Sequence, residues 1–226
     1  NQNNIFLTKS KLLSIQISDN FFTGKTKELM QNTIKEWEHN NNIPYFSIVM
    51  PTYNPNIEWL VQAIESVQNQ LYTNWELCIA DDASTNKDIR STLEEIAKND
   101  QRIKLVFRKE NGHISAASNS ATELATSDWL ALLDHDDVLP EDALFWVAQA
   151  IVKNPTAGLI YSDECTISNL GQREGHYFKC DWNYDLFLSH NMICHLGVYR
   201  RDLVTQVSGF RLGLEGSQDH DLALRV

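Results

Sequence analysis

Asp134, Asp136 and Asp137, with His135 among them, close the short apolar run Trp129-Leu130-Ala131-Leu132-Leu133. That run has the length and texture of a buried strand. Ionised carboxylates at the end of a buried strand are costly unless a cation or a hydrogen-bond network compensates them. Carboxylates spaced this closely in an irregular turn can jointly hold a hard divalent ion such as Mg²⁺ or Mn²⁺. A solvated acidic turn would use the same residues, because Pro140-Glu141-Asp142 reads as the start of a helix. The rest of the chain has to separate the two.

From Tyr45 onward the sequence alternates strand with helix. Residues 46–50 form an apolar strand stopped by Pro51, and Ile57, Leu60, Val61, Ile64 and Val67 mark the helix that follows. Residues 75–80 are the second strand, Ile89, Leu93 and Ile96 mark the next helix, and residues 103–107 are the third strand. A small-residue helix over 112–125 leads to the strand at 128–133. Leu144, Val147, Ala148 and Ile151 mark a further helix before a fifth strand at 157–161. This pattern predicts an α/β fold, an open, mostly parallel twisted sheet with helices on both faces. Ligands in such sheets bind beyond the carboxyl ends of the strands. Those ends carry Pro51-Thr52-Tyr53-Asn54, Asp81-Asp82-Ala83-Ser84, Lys109-Glu110-Asn111-Gly112 and the acidic turn. Their convergence on one rim favours a ligand site over a solvated turn.

The bulk properties narrow what that ligand is. A formal net charge of -11 over 226 residues argues against a general nucleic-acid binder, which needs a basic face. It still permits a phosphorylated ligand bridged by a cation. No G-x-G-x-x-G follows the first strand and no G-x-x-x-x-G-K-[ST] occurs, so a dinucleotide dehydrogenase and a P-loop ATPase fit poorly. Tyr53 offers an aromatic face to a base or sugar, and Asp82 an acceptor for a base N–H; a turn aromatic and a helix N-cap are the structural alternatives. No apolar run is long enough to span a bilayer and no cleavable signal opens the chain. Cys78, Cys165, Cys180 and Cys194 lack metal-type spacing, so reduced thiols in a cytoplasmic protein are expected. Residues 1–43 read as an N-terminal extension, with an amphipathic helix over 25–39 that puts Leu29, Met30, Ile34 and Trp37 on one face.

The ordered set Pro51-Thr52-Tyr53-Asn54, Asp81-Asp82-Ala83-Ser84, Asn111-Gly112, Leu132 to Asp137, Tyr161-Ser162-Asp163-Glu164 and Glu215 to Leu222 resembles glycosyltransferase family 2. The resemblance covers residues 44–226 as one catalytic domain and is nearest to bacterial transferases of surface polysaccharides, including rhamnosyltransferase-like members. It implies the GT-A fold and inverting transfer of a sugar from a nucleoside diphosphate to a saccharide or lipid-linked saccharide hydroxyl. Pro51, Thr52, Tyr53, Asn54, Asp82 and Asn111 are then expected at the donor. Asp134 and Asp136 form the D-x-D pair that would hold Mn²⁺ or Mg²⁺ and, through it, the diphosphate. Asp137 is expected to cap the next helix. Asp219 occupies the position of the base, and its alternative is an acidic opening of a helix over 219–226. Asp163 and Glu164 are placed to meet sugar hydroxyls.

Three departures stand out. Gln218-Asp219 replaces the family's acidic pair, Ser118 stands near where a helix arginine is common, and family members continue beyond Val226. The last implies acceptor-binding or membrane-associating parts outside this chain, with transfer at the cytoplasmic face of the inner membrane. Between Ser162 and Tyr199 only a hairpin around Asn169-Leu170-Gly171 is legible. The resemblance puts residues 188–191 and 194–197 near the acceptor side, where His190 and His195 would meet acceptor or donor sugar, but each alone reads first as a structural histidine. Two other functions stay open. A sugar nucleotidyltransferase would carry a glycine-rich, arginine-containing signature after the first strand, which is missing; a non-catalytic carbohydrate-binding module would tolerate loss of the base.

Overall fold

Along β1 (Phe46–Thr52), Phe46, Ile48 and Met50 enter one apolar cluster and Val49 the other, as the two-residue period of a strand demands. The computed structural model describes residues 24–41, 43–168 and 171–226. β2 (Trp75–Asp81) repeats the pattern, with Trp75, Leu77 and Ile79 on the first face and Cys78 and Ala80 on the second. Strands buried on both faces need helices on both. α1 (Gly24–His39), α2 (Ile57–Gln68), α3 (Lys87–Asn99) and α5 (Ala143–Lys153) cover the first face. α4 (His113–Glu123), α6 (Tyr184–Ser189), α7 (Arg201–Gln206) and α8 (Gln218–Arg225) cover the second.

The main sheet also contains β3 (Ile103–Phe107), β4 (Trp129–Leu132), β5 (Leu159–Tyr161) and β8 (Gly197–Arg200), in the order β3-β2-β1-β4-β8-β5. β3, β2, β1 and β4 run parallel, so the four polar strand ends share one rim. β8 was not expected from the sequence. It enters antiparallel between β4 and β5. β6 (Glu164–Ile167) and β7 (Arg173–Tyr177) form the expected hairpin beside the sheet, while Asn169 and Leu170 of its turn lie outside the described residues.

Pro51 does not stop β1, which runs on to Thr52. The carbonyl of Val49 accepts from Leu133 N on the β4 side, and that of Thr52 accepts from Asp82 N on the β2 side. Alternation therefore turns Pro51 towards β4, where that strand has already ended, and its missing N–H interrupts no ladder. In α1, Met30, Ile34 and Trp37 are buried and Trp37 stacks on Phe145 at 5.4 Å, but Leu29 is 68% exposed and off that face.

Candidate active site

β2 and β3 extend the sheet on one side of β1, and β4, β8 and β5 on the other, so the strand order reverses between β1 and β4. Such a switch point opens a crevice at the carboxyl ends of its two strands. A cavity of about 40 Å³ lies there, lined by Pro51, Asp134, Ser118, His195, Gln218 and Asp219 among others.

Ala131 of β4 pairs with Val198 of the antiparallel β8, so the residues entering β8 lie beside those leaving β4. This brings His195 to the acidic turn. Its Nδ1 is 3.4 Å from Asp137 Oδ2, and its Nε2 is 4.0 Å from Asp134 Oδ2. Ligand atoms of Asp134, Asp137 and His195 all lie within 4.8 Å of one another. Burial pushes the carboxyls of Asp134 and Asp137 above their usual range; His195 opposes the shift and neighbouring carboxylates add to it.

The turn explains the membership of this group. Asp137 N donates to Asp134 O at 3.2 Å, closing a turn that leaves Asp136 exposed and outside the group. Asp137 faces His195 and does not cap the next helix; the N-cap of α5 is Asp142, whose carboxylate accepts from Trp146 Nε1 at 2.7 Å. His195 is likewise no internally satisfied histidine, because its side chain is exposed and faces two carboxylates. His190 packs edge-on against Tyr177.

Asp219 sits in the first turn of α8, and its Oδ2 accepts from Asn191 Nδ2 at 2.6 Å. The approach to α8 is fixed from α4, where the Asn119 amide donates to Phe210 O at 2.8 Å and accepts from Phe210 N at 2.9 Å.

The expected donor residues divide into two groups. Tyr53 is 46% exposed, and Pro51 lines the cavity with its carbonyl 3.3 Å from His135 Nδ1. Thr52 is buried, and neither its Oγ1 nor Oδ1 of Asp81, its neighbour in register, has a hydrogen-bond partner among the described residues. Orphaned polar atoms at a rim suit a site that a ligand or water completes. The remaining residues brace the loops. Asn54 Oδ1 accepts from Thr85 N at 2.8 Å, joining the first two strand-end loops. Asp82 is 1% exposed and is not the N-cap of α3, which is Asn86. Its carboxylate takes Arg108 Nε at 2.7 Å and Gly112 N at 3.0 Å, while Asn111 Nδ2 donates to its carbonyl at 3.2 Å. Asp163 Oδ1 accepts from Lys179 N at 2.7 Å. Glu164 Oε2 accepts from Lys179 Nζ and from His195 N, both at 2.9 Å. Burial lowers the Lys179 ammonium's pKa, and Glu164 opposes that shift.

The profile of the family described as Glycosyl transferase family 2 matches residues 47–207. The chain belongs to glycosyltransferase family 2. The chain is 34% identical over 183 residues to the O-antigen biosynthesis protein RfbC of Myxococcus xanthus, covering 81% of this chain and 14% of that protein. Among solved structures it is similar to the mannosyltransferase PcManGT of Pyrobaculum calidifontis in complex with GDP-Man and Mn²⁺. There the TM-score is 0.61 and the identity 20%, over 88% of this chain and 59% of that one. It is also similar to S. aureus TarS 1–349 in complex with UDP-GlcNAc, with a TM-score of 0.65 and 19% identity over 80% of this chain and 52% of that one. The fold is GT-A. The chain spans less than a third of the length of the first curated relatives it matches.

His195 and Asn191, expected only near the acceptor side, and Asn119, Arg108 and Lys179, not expected at the site, are the residues whose contacts around it sequence reasoning missed. Their partners lie far along the chain, and the first two depend on the unforeseen β8. The available signal was weak: Asn191 and His195 are polar residues bracketing the apolar Met192-Ile193. All four cysteines are free thiols. No helix of the described residues is long and apolar enough to cross a membrane.

Proposed function

We propose that this chain is the catalytic domain of an inverting, metal-dependent glycosyltransferase. It moves a sugar from a nucleoside-diphosphate sugar to a saccharide or lipid-linked saccharide hydroxyl, in bacterial surface-polysaccharide synthesis on the cytoplasmic side of the membrane. One observation carries the reading: Asp134, His195 and Asp219 line the same cavity at the switch point. The sugar nucleotides held by PcManGT and TarS, and the O-antigen role named for RfbC, support it.

The donor atoms fit a divalent cation. Asp134 and Asp137 supply hard oxygens and His195 a nitrogen, a set that suits Mn²⁺ better than Mg²⁺, and Asp136 of the same turn would have to swing in to join them. A bound cation supplies Lewis-acid stabilisation of the leaving diphosphate. Asp219 accepts the proton of the acceptor hydroxyl from the face opposite the diphosphate, and Asn191 fixes its carboxylate. Tyr53 stacks on the nucleoside, Pro51 and Thr52 border it, and Asp82 with Asn54 and Asn111 shapes the loops around it.

A thermal-shift panel of nucleoside diphosphates and sugar nucleotides, each with Mn²⁺ and with EDTA, tests the reading. A ligand that binds only the folded chain raises its midpoint by mass action. A Mn²⁺-dependent rise with one nucleotide family is expected. No rise with any of them contradicts the donor assignment and favours a non-catalytic module.

A further inference from the structure

Lys179 is buried to 0% side-chain exposure beside Glu164, yet neither residue belongs to the rim set. Its Nζ donates to Glu164 Oε2 at 2.9 Å and to the carbonyls of Ile193 and His195 at 2.6 Å each. Glu164 Oε2 in turn accepts from His195 N at 2.9 Å. Both backbone polar groups of His195 are therefore held by one ion pair, its lysine buried and its glutamate partly exposed, while the imidazole stays exposed and faces Asp134 and Asp137.

Burying a lysine is a poor way to gain stability, because an apolar side chain of similar volume avoids the desolvation cost. What the pair supplies is a fixed backbone under a side chain with few contacts of its own. The same loop is fixed at its other end, where Asn191 Oδ1 accepts from Ile193 N at 3.3 Å and Asn191 Nδ2 donates to Asp219.

We infer that Glu164 and Lys179 are positioning residues that lock the backbone of His195 so that its imidazole completes the cation site with Asp134. Glu164 thus works from beneath the site, through His195, and not on a sugar hydroxyl. This rests on the metal-dependent reading of the same site and adds to it the device that holds its nitrogen donor.

The test is Mn²⁺ affinity, read from the free-Mn²⁺ EPR signal without donor or turnover. The variants are Asp134→Asn, His195→Ala, Lys179→Met and the His195→Ala/Lys179→Met double variant. His195→Ala changes an exposed side chain and is expected to weaken Mn²⁺ binding about tenfold, as losses around a metal ligand do. Lys179→Met should weaken it comparably in the parent, and add little once His195 is gone. A merely structural lysine would cost the same factor in both backgrounds, which overturns the inference, as does unchanged affinity in His195→Ala. If Lys179→Met does not fold, Glu164→Gln takes its place and should show a smaller loss that also vanishes without His195. Mn²⁺ binding indifferent to Asp134→Asn, or absent in the parent, overturns the metal reading itself.

Discussion

Asn191 Nδ2 donates to Asp219 Oδ2 at 2.6 Å, tying the loop before β8 to the first turn of α8. The carboxylate read as the base is oriented by a residue on the loop that carries His195. Asn191→Ala should lower kcat by about 100-fold, since small misplacements of a reacting group are costly. Donor KM should move little, and steady-state kinetics with the preferred donor separate the two.

The acidic turn is built at the expense of stability. Burial disfavours ionised Asp134, with Asp137 and Asp136 adding repulsion. Asp134→Asn should therefore raise the melting midpoint of metal-free protein only slightly, by about 1 °C, because the side chain is 41% exposed and solvent screens much of the repulsion. It should also abolish stabilisation by Mn²⁺. Differential scanning fluorimetry with EDTA and with Mn²⁺ checks both.

Gly112 is needed for space. A Cβ there would lie 2.6 Å from Arg108 Nη2 and 2.8 Å from Ala116 Cβ, closer than real side chains approach. Gly112→Ala should push Arg108 off Asp82, whose side chain is 2% exposed and would be left unpaired. We expect a loss of about 3 kcal/mol in urea unfolding, and weaker donor binding as the strand-end loops loosen.

At the amino ends of the strands, far from the rim, Glu76 is 1% exposed and meets Ser47, Thr126, Tyr45 and Lys104. Burial alone would raise its carboxyl, but Lys104, Ser47 and Thr126 outweigh it and bring it from 4.5 to about 2. A folded-state value below the unfolded one means stabilisation that is full above pH 4.5 and drains as pH falls towards about 2. Glu76→Gln should cost about 2–3 kcal/mol at neutral pH and flatten the acid-unfolding curve across that window, with transfer by the remaining folded enzyme unchanged.

The parallel half of the sheet was legible because strand burial and helix periodicity are local, so Pro51, Asp82, Asn111 and Asp134 could be put on one rim from spacing alone. What escaped were non-local consequences. β8 is four residues long and antiparallel, and nothing within residues 162–199 signals that it inserts between β4 and β5. Without it His195 had no reason to meet Asp134. Asp82 and Glu164 read as strand-end carboxylates open to a ligand, but spacing cannot reveal that Arg108 and Lys179 engage them.

The most direct test of the account is Asp219→Asn, assayed for both donor binding and transfer. The amide preserves size and can still accept from Asn191, but it cannot take the acceptor's proton. Calorimetric affinity for the nucleoside diphosphate with Mn²⁺ should match the parent, while sugar transfer falls to background. Transfer at the parental rate would contradict the assignment of Asp219 as the base, and with it the mechanism proposed for this site.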